Sequence, residues 1–142
     1  MTTTTIAEKR FFTVDEANAR LPLLRSILRD VTDLSVQMKV HYDRLISLQT
    51  AGSNDPRIER EVASLAIELD AMQNAMRGYE AEAANLGAEI KDAFAGLVDF
   101  PGWFEGREVC LCWKLDEPAV AHWHEVDAGF GGRRPIAKER LA

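Results

Sequence analysis

Apolar residues recur in alternating steps of four and three along the first third of the chain. They fall at Ile27, Val31, Leu34, Met38, Leu45 and Leu48, with His41 the one polar member of the series. That spacing draws a single seam along a helix. A second seam has no polar break and runs through Ile58, Val62, Leu65, Leu69, Met72, Met76, Tyr79, Ala83, Leu86 and Ile90. Between the two, Thr50-Ala51-Gly52-Ser53-Asn54-Asp55-Pro56 has the composition of a turn, and Pro56 is suited to a first helical position. The pattern predicts antiparallel helices at 22–49 and 56–87, with Leu48 near Ile58 and Val31 near Met76. At ~1.5 Å per residue each arm reaches roughly 40 Å. Upstream, Thr13 and Glu16 have capping-box spacing. Pro22 removes a helical hydrogen bond, so a short helix is expected to end near Arg20, followed by a new helix or a kink. Gly87 suits the closing cap.

Beyond Ile90 the period changes to that of strands. Leu97 to Gly102 reads as a short strand and turn. Arg107 to Leu115 and Ala119 to Asp127 read as a β-hairpin broken by Asp116-Glu117-Pro118. A three- or four-stranded antiparallel sheet packed on the base of the helices follows, with Trp103, Trp113 and Trp123 as its core. Gly129 to Pro135 reads as a loop. The fold class is therefore α+β in one domain spanning 1–142. It comprises a helical hairpin over 10–90, a β head over 91–136, and mobile ends at 1–9 and 137–142.

Composition narrows the partners. The 142 residues are 46% hydrophobic and 28% charged, with a formal net charge of −6. An acidic surface with no basic run longer than Arg133-Arg134 repels phosphate backbones and anionic lipid, so neither nucleic acid nor membrane is expected. No apolar leader follows Met1. Both cysteines stand in Cys110-Leu111-Cys112, poorly placed to bond each other. The cytoplasm is the expected compartment. Leu24, Leu28, Val36, Val40 and Ile46 lie beside the first seam and widen its apolar surface. They suggest a homodimer through the helices, and folding of the head over them is the competing explanation.

The chemistry-bearing residues gather in the head. Residues two apart on a strand share a face. An odd-length loop at 116–118 sets Cys112 opposite His122 and Cys110 opposite His124. Two thiols and two imidazoles on one surface form a ligand set for Zn or Fe. Against this stand the flatness of a pleat and the habit of thiols to be buried for packing alone. His124, Glu125 and Asp99 supply a possible acid–base set, although His124 and Glu125 fall on opposite faces of a regular strand. A structural ion pair from Glu125 or Asp99 to Arg133 is the alternative. Gly131 and Gly132 with Arg133 and Arg134 could cradle an anion, or form a plain turn with locally paired arginines. No nucleophile elbow, Walker loop or His-Glu-x-x-His pattern is present.

Several of these residues carry a family resemblance. Phe12-Thr13, Glu16-Ala17-Asn18, Leu21-Pro22, Lys91-Asp92 and Gly96-Leu97-Val98-Asp99-Phe100-Pro101 form its first part. Cys112-Trp113, Trp123-His124-Glu125, Gly129-Phe130, Gly132-Arg133 and Pro135 complete it. Together they resemble the bacterial family called domain of unknown function 2203, over nearly the whole chain. The resemblance implies a small prokaryotic cytosolic protein, and Cys110 and His122 lie outside its pattern. Three functions are weighed. The first is an interaction or adaptor protein that docks a protein partner through its hairpin. The second is a small metal-binding protein using the head. The third is an enzyme or anion-binding protein using His124, Glu125 and Arg133, and the balance leans away from an enzyme.

Overall fold

The computed structural model describes residues 9–52 and 54–137. The ends expected to be mobile fall largely on residues 1–8 and 138–142, outside the described residues. Two helices, α1 (Val14–Thr50) and α2 (Pro56–Asn85), precede five strands: β1 (Glu89–Asp92), β2 (Leu97–Phe104), β3 (Arg107–Lys114), β4 (His122–Glu125) and β5 (Arg134–Pro135). All neighbouring strands pair antiparallel in the order β1-β2-β3-β4-β5.

Thr13 starts α1 as the sequence predicts. Its hydroxyl accepts from the Glu16 amide at 3.1 Å, and the Glu16 carboxylate accepts from the Thr13 amide at 3.0 Å. The helix does not end near Arg20 as one reading of Pro22 expects, because α1 runs through that residue as one helix of 37 residues. An internal proline costs a helix about 3 kcal/mol. Tertiary burial outweighs that cost here, since Leu21 and Leu24 on either side are sealed in the core at 3% and 0% exposure. With the short helix fused to it, α1 spans about 55 Å. Asp55 caps α2 through the Arg57 amide at 2.9 Å, with Pro56 at the first turn.

The two seams meet as predicted. Ile27, Val31 and Leu48 are buried on α1, as are Leu69 and Ala83 on α2, and the intervening seam residues are half-buried. His41 fits among apolar neighbours by pairing across the hairpin with Glu68, 2.7 Å from Nε2. Arg44 pairs with Glu61 at 2.9 Å, a second contact across the antiparallel hairpin.

At the base, Gly87 turns the chain from α2 into the sheet with φ +91°. Its amide donates to Ala84 and the Ala88 amide to Ala83 (2.9 and 3.0 Å), a Schellman cap that satisfies two terminal carbonyls. The missing side chain serves a second purpose, because a Cβ here would fall inside the Phe12 ring. Phe12 in turn packs on Phe100 at 5.3 Å between centroids, and its amide donates to the Pro101 carbonyl.

The sheet has one more strand than the upper expectation. The short β1 takes up Ile90, which the four-three spacing assigns to the end of the second helical seam, and β2 continues through Pro101 and Gly102 instead of turning there. The Pro101 carbonyl is free to accept from Phe12 because β1 ends short of that point. Glu105 and Gly106, at φ 50° and 76°, form the two-residue turn between β2 and β3. Val98, Phe100, Val109, Leu111, Trp113 and Trp123 form one core with Leu21, Leu24, Leu28 and Val31. Trp103 departs from the expectation of a buried tryptophan. It points away from the helices at 52% exposure and packs edge-on against Phe11.

Gly87→Ala should therefore be severe, since it forces a side chain into a left-handed turn and displaces an aromatic ring. Urea denaturation is expected to show a loss of about 2–4 kcal/mol.

Candidate functional site

The connection between β3 and β4 is longer than the expected three residues, but it is odd in length and keeps the predicted register. Cys112 stands opposite His122 and Cys110 opposite His124. On the other side of β3, Asp99 pairs with Cys112 and Pro101 with Cys110. Two rows thus cross the face turned away from the helices: Asp99-Cys112-His122, and beside it Pro101-Cys110-His124.

Asp99, Cys112 and His124 converge within that grid. A carboxylate oxygen, the Sγ and an imidazole nitrogen all lie within 4.8 Å of one another. The three residues are buried at 5%, 0% and 3% exposure. His124 Nε2 is 3.0 and 3.1 Å from the two oxygens of Asp99, and Nδ1 is 2.7 Å from the Glu125 carbonyl. A carbonyl oxygen can only accept, so Nδ1 carries a hydrogen. Nε2 and the Asp99 carboxylate then share one further proton. Removing one member of such a buried pair strands the other, at a cost of about 3–5 kcal/mol.

Cys110 and His122 stand outside the trio. Cys110 is half-buried, and burial with the nearby Asp99 charge pushes its thiol up to about 11. His122 Nδ1 lies 3.5 Å from Glu117, and it is a buried nitrogen with no hydrogen-bond partner among the described residues. Asp99, which the sequence suggests as part of an acid–base set or as an ion-pair partner of Arg133, is the residue that joins the thiol and the imidazole. Its signal was a single acidic side chain between Val98 and Phe100 in an otherwise apolar strand.

The remaining candidates are engaged elsewhere. Glu125 takes a two-point contact from Arg107 at 2.8 and 2.6 Å. Arg133 does not reach Glu125 or Asp99. It pairs with Glu117 at 2.7 and 2.9 Å and stacks on Phe130. Glu117 was legible only as part of a breaker, yet it also accepts from the Lys114 amide, and its own carbonyl accepts from Trp113 and Arg25. Arg134 lies over the Trp123 ring. Gly131 and Gly132 sit in a 3₁₀ turn whose amides at Gly132 and Arg133 donate to Gly129 and Phe130. Two of the amides an anion nest would use there are thus engaged within the turn itself.

The trio is not arranged as a nucleophile and its base. Both imidazole nitrogens face oxygen acceptors, and burial followed by the Asp99 charge pushes the Cys112 thiol up to about 12. A folded-state value above the ordinary 9.0 means the thiol's contribution is intact below about pH 9 and lost as pH rises toward 12. Chemical denaturation across that window should show wild-type stability falling more steeply than that of Cys112→Ala. At pH 8, Ellman's reagent should reach Cys110 slowly and Cys112 only after unfolding.

Among the described residues no helix is long and apolar enough to cross a membrane. No curated protein and no solved structure matches the chain. A family model described as "Uncharacterized conserved protein (DUF2203)" matches residues 10–136. Spanning the capped start of α1, both helices and all five strands, that match makes the chain a member of the DUF2203 family.

Proposed function

We propose that the head binds a divalent transition-metal ion through Asp99, Cys112 and His124. The observation that carries the reading is the convergence of three buried donors of different chemistry within 4.8 Å. Carboxylate, thiolate and imidazole together suit Zn(II) first and Fe(II) second. The contact from His124 Nδ1 to the Glu125 carbonyl is the outer support that metal-bound histidines commonly have, aiming Nε2 at the ion. Charge also balances. The proton shared by His124 and Asp99 and the proton on Cys112 would leave together, and a divalent ion would replace them without changing the net charge of the site. Three protein ligands leave a fourth position for water or an exogenous group. Cys110 and His122 are not ligands in this reading.

Elemental analysis of the purified protein is expected to find close to one equivalent of zinc or iron. Zinc returned to chelator-treated protein should raise its unfolding temperature, since saturation at a hundredfold excess over Kd contributes about 2.7 kcal/mol. Cys112→Ala, His124→Ala and Asp99→Asn should each abolish the gain, and Cys110→Ala should keep it. Metal-free purification with no thermal response to either ion would sink the proposal.

A second reading rests on the far halves of the helices. The head covers Leu24 and Leu28 completely, leaving Val36, Val40 and Ile46 on α1 at 50%, 61% and 57% exposure. Val36 and Val40, four residues apart, share one face. These residues support a homodimer, or a protein partner docked on the hairpin. The two free thiols support a reducing cytoplasm as the compartment. Sedimentation at micromolar concentration is expected to give a dimer that Val40→Glu dissociates. A wild-type species of 15.9 kDa would reject it.

A further inference from the structure

A cleft of about 480 Å³ opens where the residues before α1, the Gly87 turn and the edge of β2 come together. It lies within the range of small-molecule sites. Its origin is the shortness of β1, whose pairing with β2 begins at Glu89 and Asp99, so that beyond Phe100 the outer edge of β2 is met by the Phe12 amide in place of a strand. Phe12, Leu86, Pro101 and Val126 give it apolar walls.

The charge of the walls contrasts with that of the chain. Four basic side chains line the cleft, Lys9, Arg10, Arg20 and Lys91, against three acidic ones, Glu89, Asp99 and Glu108. The acids are already engaged: Glu89 with Lys91, Glu108 with Lys9, and Asp99 with His124. Arg10 is partly balanced by Glu16 outside the cleft. Arg20 is half-buried and makes no ion pair with any described residue. The guanidinium carbons of Arg10 and Arg20 lie 4.7 and 5.6 Å from the centre of the Phe12 ring. Two cations are therefore held beside one aromatic ring, and one of them lacks a counterion. The negative end of α2 nearby is softened because the Schellman cap satisfies its Ala83 and Ala84 carbonyls.

We propose that this cleft binds a small organic acid, its carboxylate held by Arg20 and Arg10 and its apolar body lying along Phe12, Leu86 and Pro101. A free guanidinium is the group best suited to a planar carboxylate, and the apolar wall beside it selects an acid with a hydrocarbon part over inorganic phosphate. The site borders the proposed metal centre through Asp99 but does not depend on it.

Octanoate serves as the probe, titrated by calorimetry into chelator-treated and zinc-loaded protein. Binding is expected in both forms, at one molecule per chain. Octanol, with the same tail and no charge, and inorganic phosphate, with charge and no tail, should both bind more weakly. Arg20→Gln should weaken octanoate binding about tenfold or more by removing a charge-assisted contact. Its unfolding midpoint checks that it folds, and Arg10→Gln, at an exposed position, carries the test if it does not. Absence of octanoate binding in both forms, equal binding of octanol, or equal affinity in a folded arginine variant would overturn the proposal. Binding confined to zinc-loaded protein would overturn it too, assigning the carboxylate to the metal.

Discussion

The pairing of β3 with β4 is the constraint on which the rest of the head depends. Successive side chains on a strand alternate in direction, so a slip of one residue would exchange the two faces of β4. Trp123 would leave the core shared with Leu111 and Trp113, and His124 would enter it in place of an apolar ring. The observed register satisfies both demands at once. It keeps Val109, Leu111, Trp113 and Trp123 against the helices and brings Cys112 and His124 to the other side with Asp99. Hydrophobic burial thus positions the polar trio, although none of the three packs on the helices. Arg25 of α1 supports the same register from outside the sheet, donating to the carbonyls of Glu117 and Pro118 and stacking over Trp113.

Much of this was legible in the sequence because the forces involved are periodic. The four-three seams, the Thr13–Glu16 box, the Asp55-Pro56 start and the Gly87 cap are short-range signals, and each appears where the pattern places it, except that the second seam stops with α2 at Asn85 and its last member, Ile90, lies in β1. Parity sufficed for the shared face of Cys112 and His124, since any odd loop gives the same answer. The misreadings have a common cause in tertiary structure. The local cost of Pro22 predicts a helix end near Arg20, which the burial of Leu21 and Leu24 overrides. β1 is four polar or half-buried residues that owe their strand form to β2 beside them. Residue type alone places Trp103 in the core, whereas alternation along β2 from the buried Phe100 and Phe104 sends it outward. The joining of Asp99 to the thiol and imidazole needs the β2–β3 register, which the two-residue Glu105-Gly106 turn sets and which a turn expected at Pro101-Gly102 conceals.

Burying a carboxylate and an imidazole together is an expensive way to build a small sheet, and apolar residues of similar volume would often be as stable or more so. Stability alone therefore does not account for the trio. The cluster sits among features that do stabilise the head: an aromatic core, a satisfied helix cap and a two-residue hairpin turn. The polar geometry is thus held on rigid strands, which is how sites requiring precise donor placement are best supported.

The two helices are served unevenly by the head. Near their base, α1 rests on a sheet and on α2 together, and its residues there reach zero exposure. Farther out, each helix has only the other, and apart from Leu69 the seam residues are half-buried until Leu48 near the tip. Local opening costs least where burial is thinnest. The hairpin should then unzip from the Thr50–Pro56 turn while the head stays closed, with amide protons there exchanging with solvent long before those of β3. A partner that grips the tip would slow that exchange from a distance, so the far end of the hairpin could report on binding without any rearrangement of the sheet.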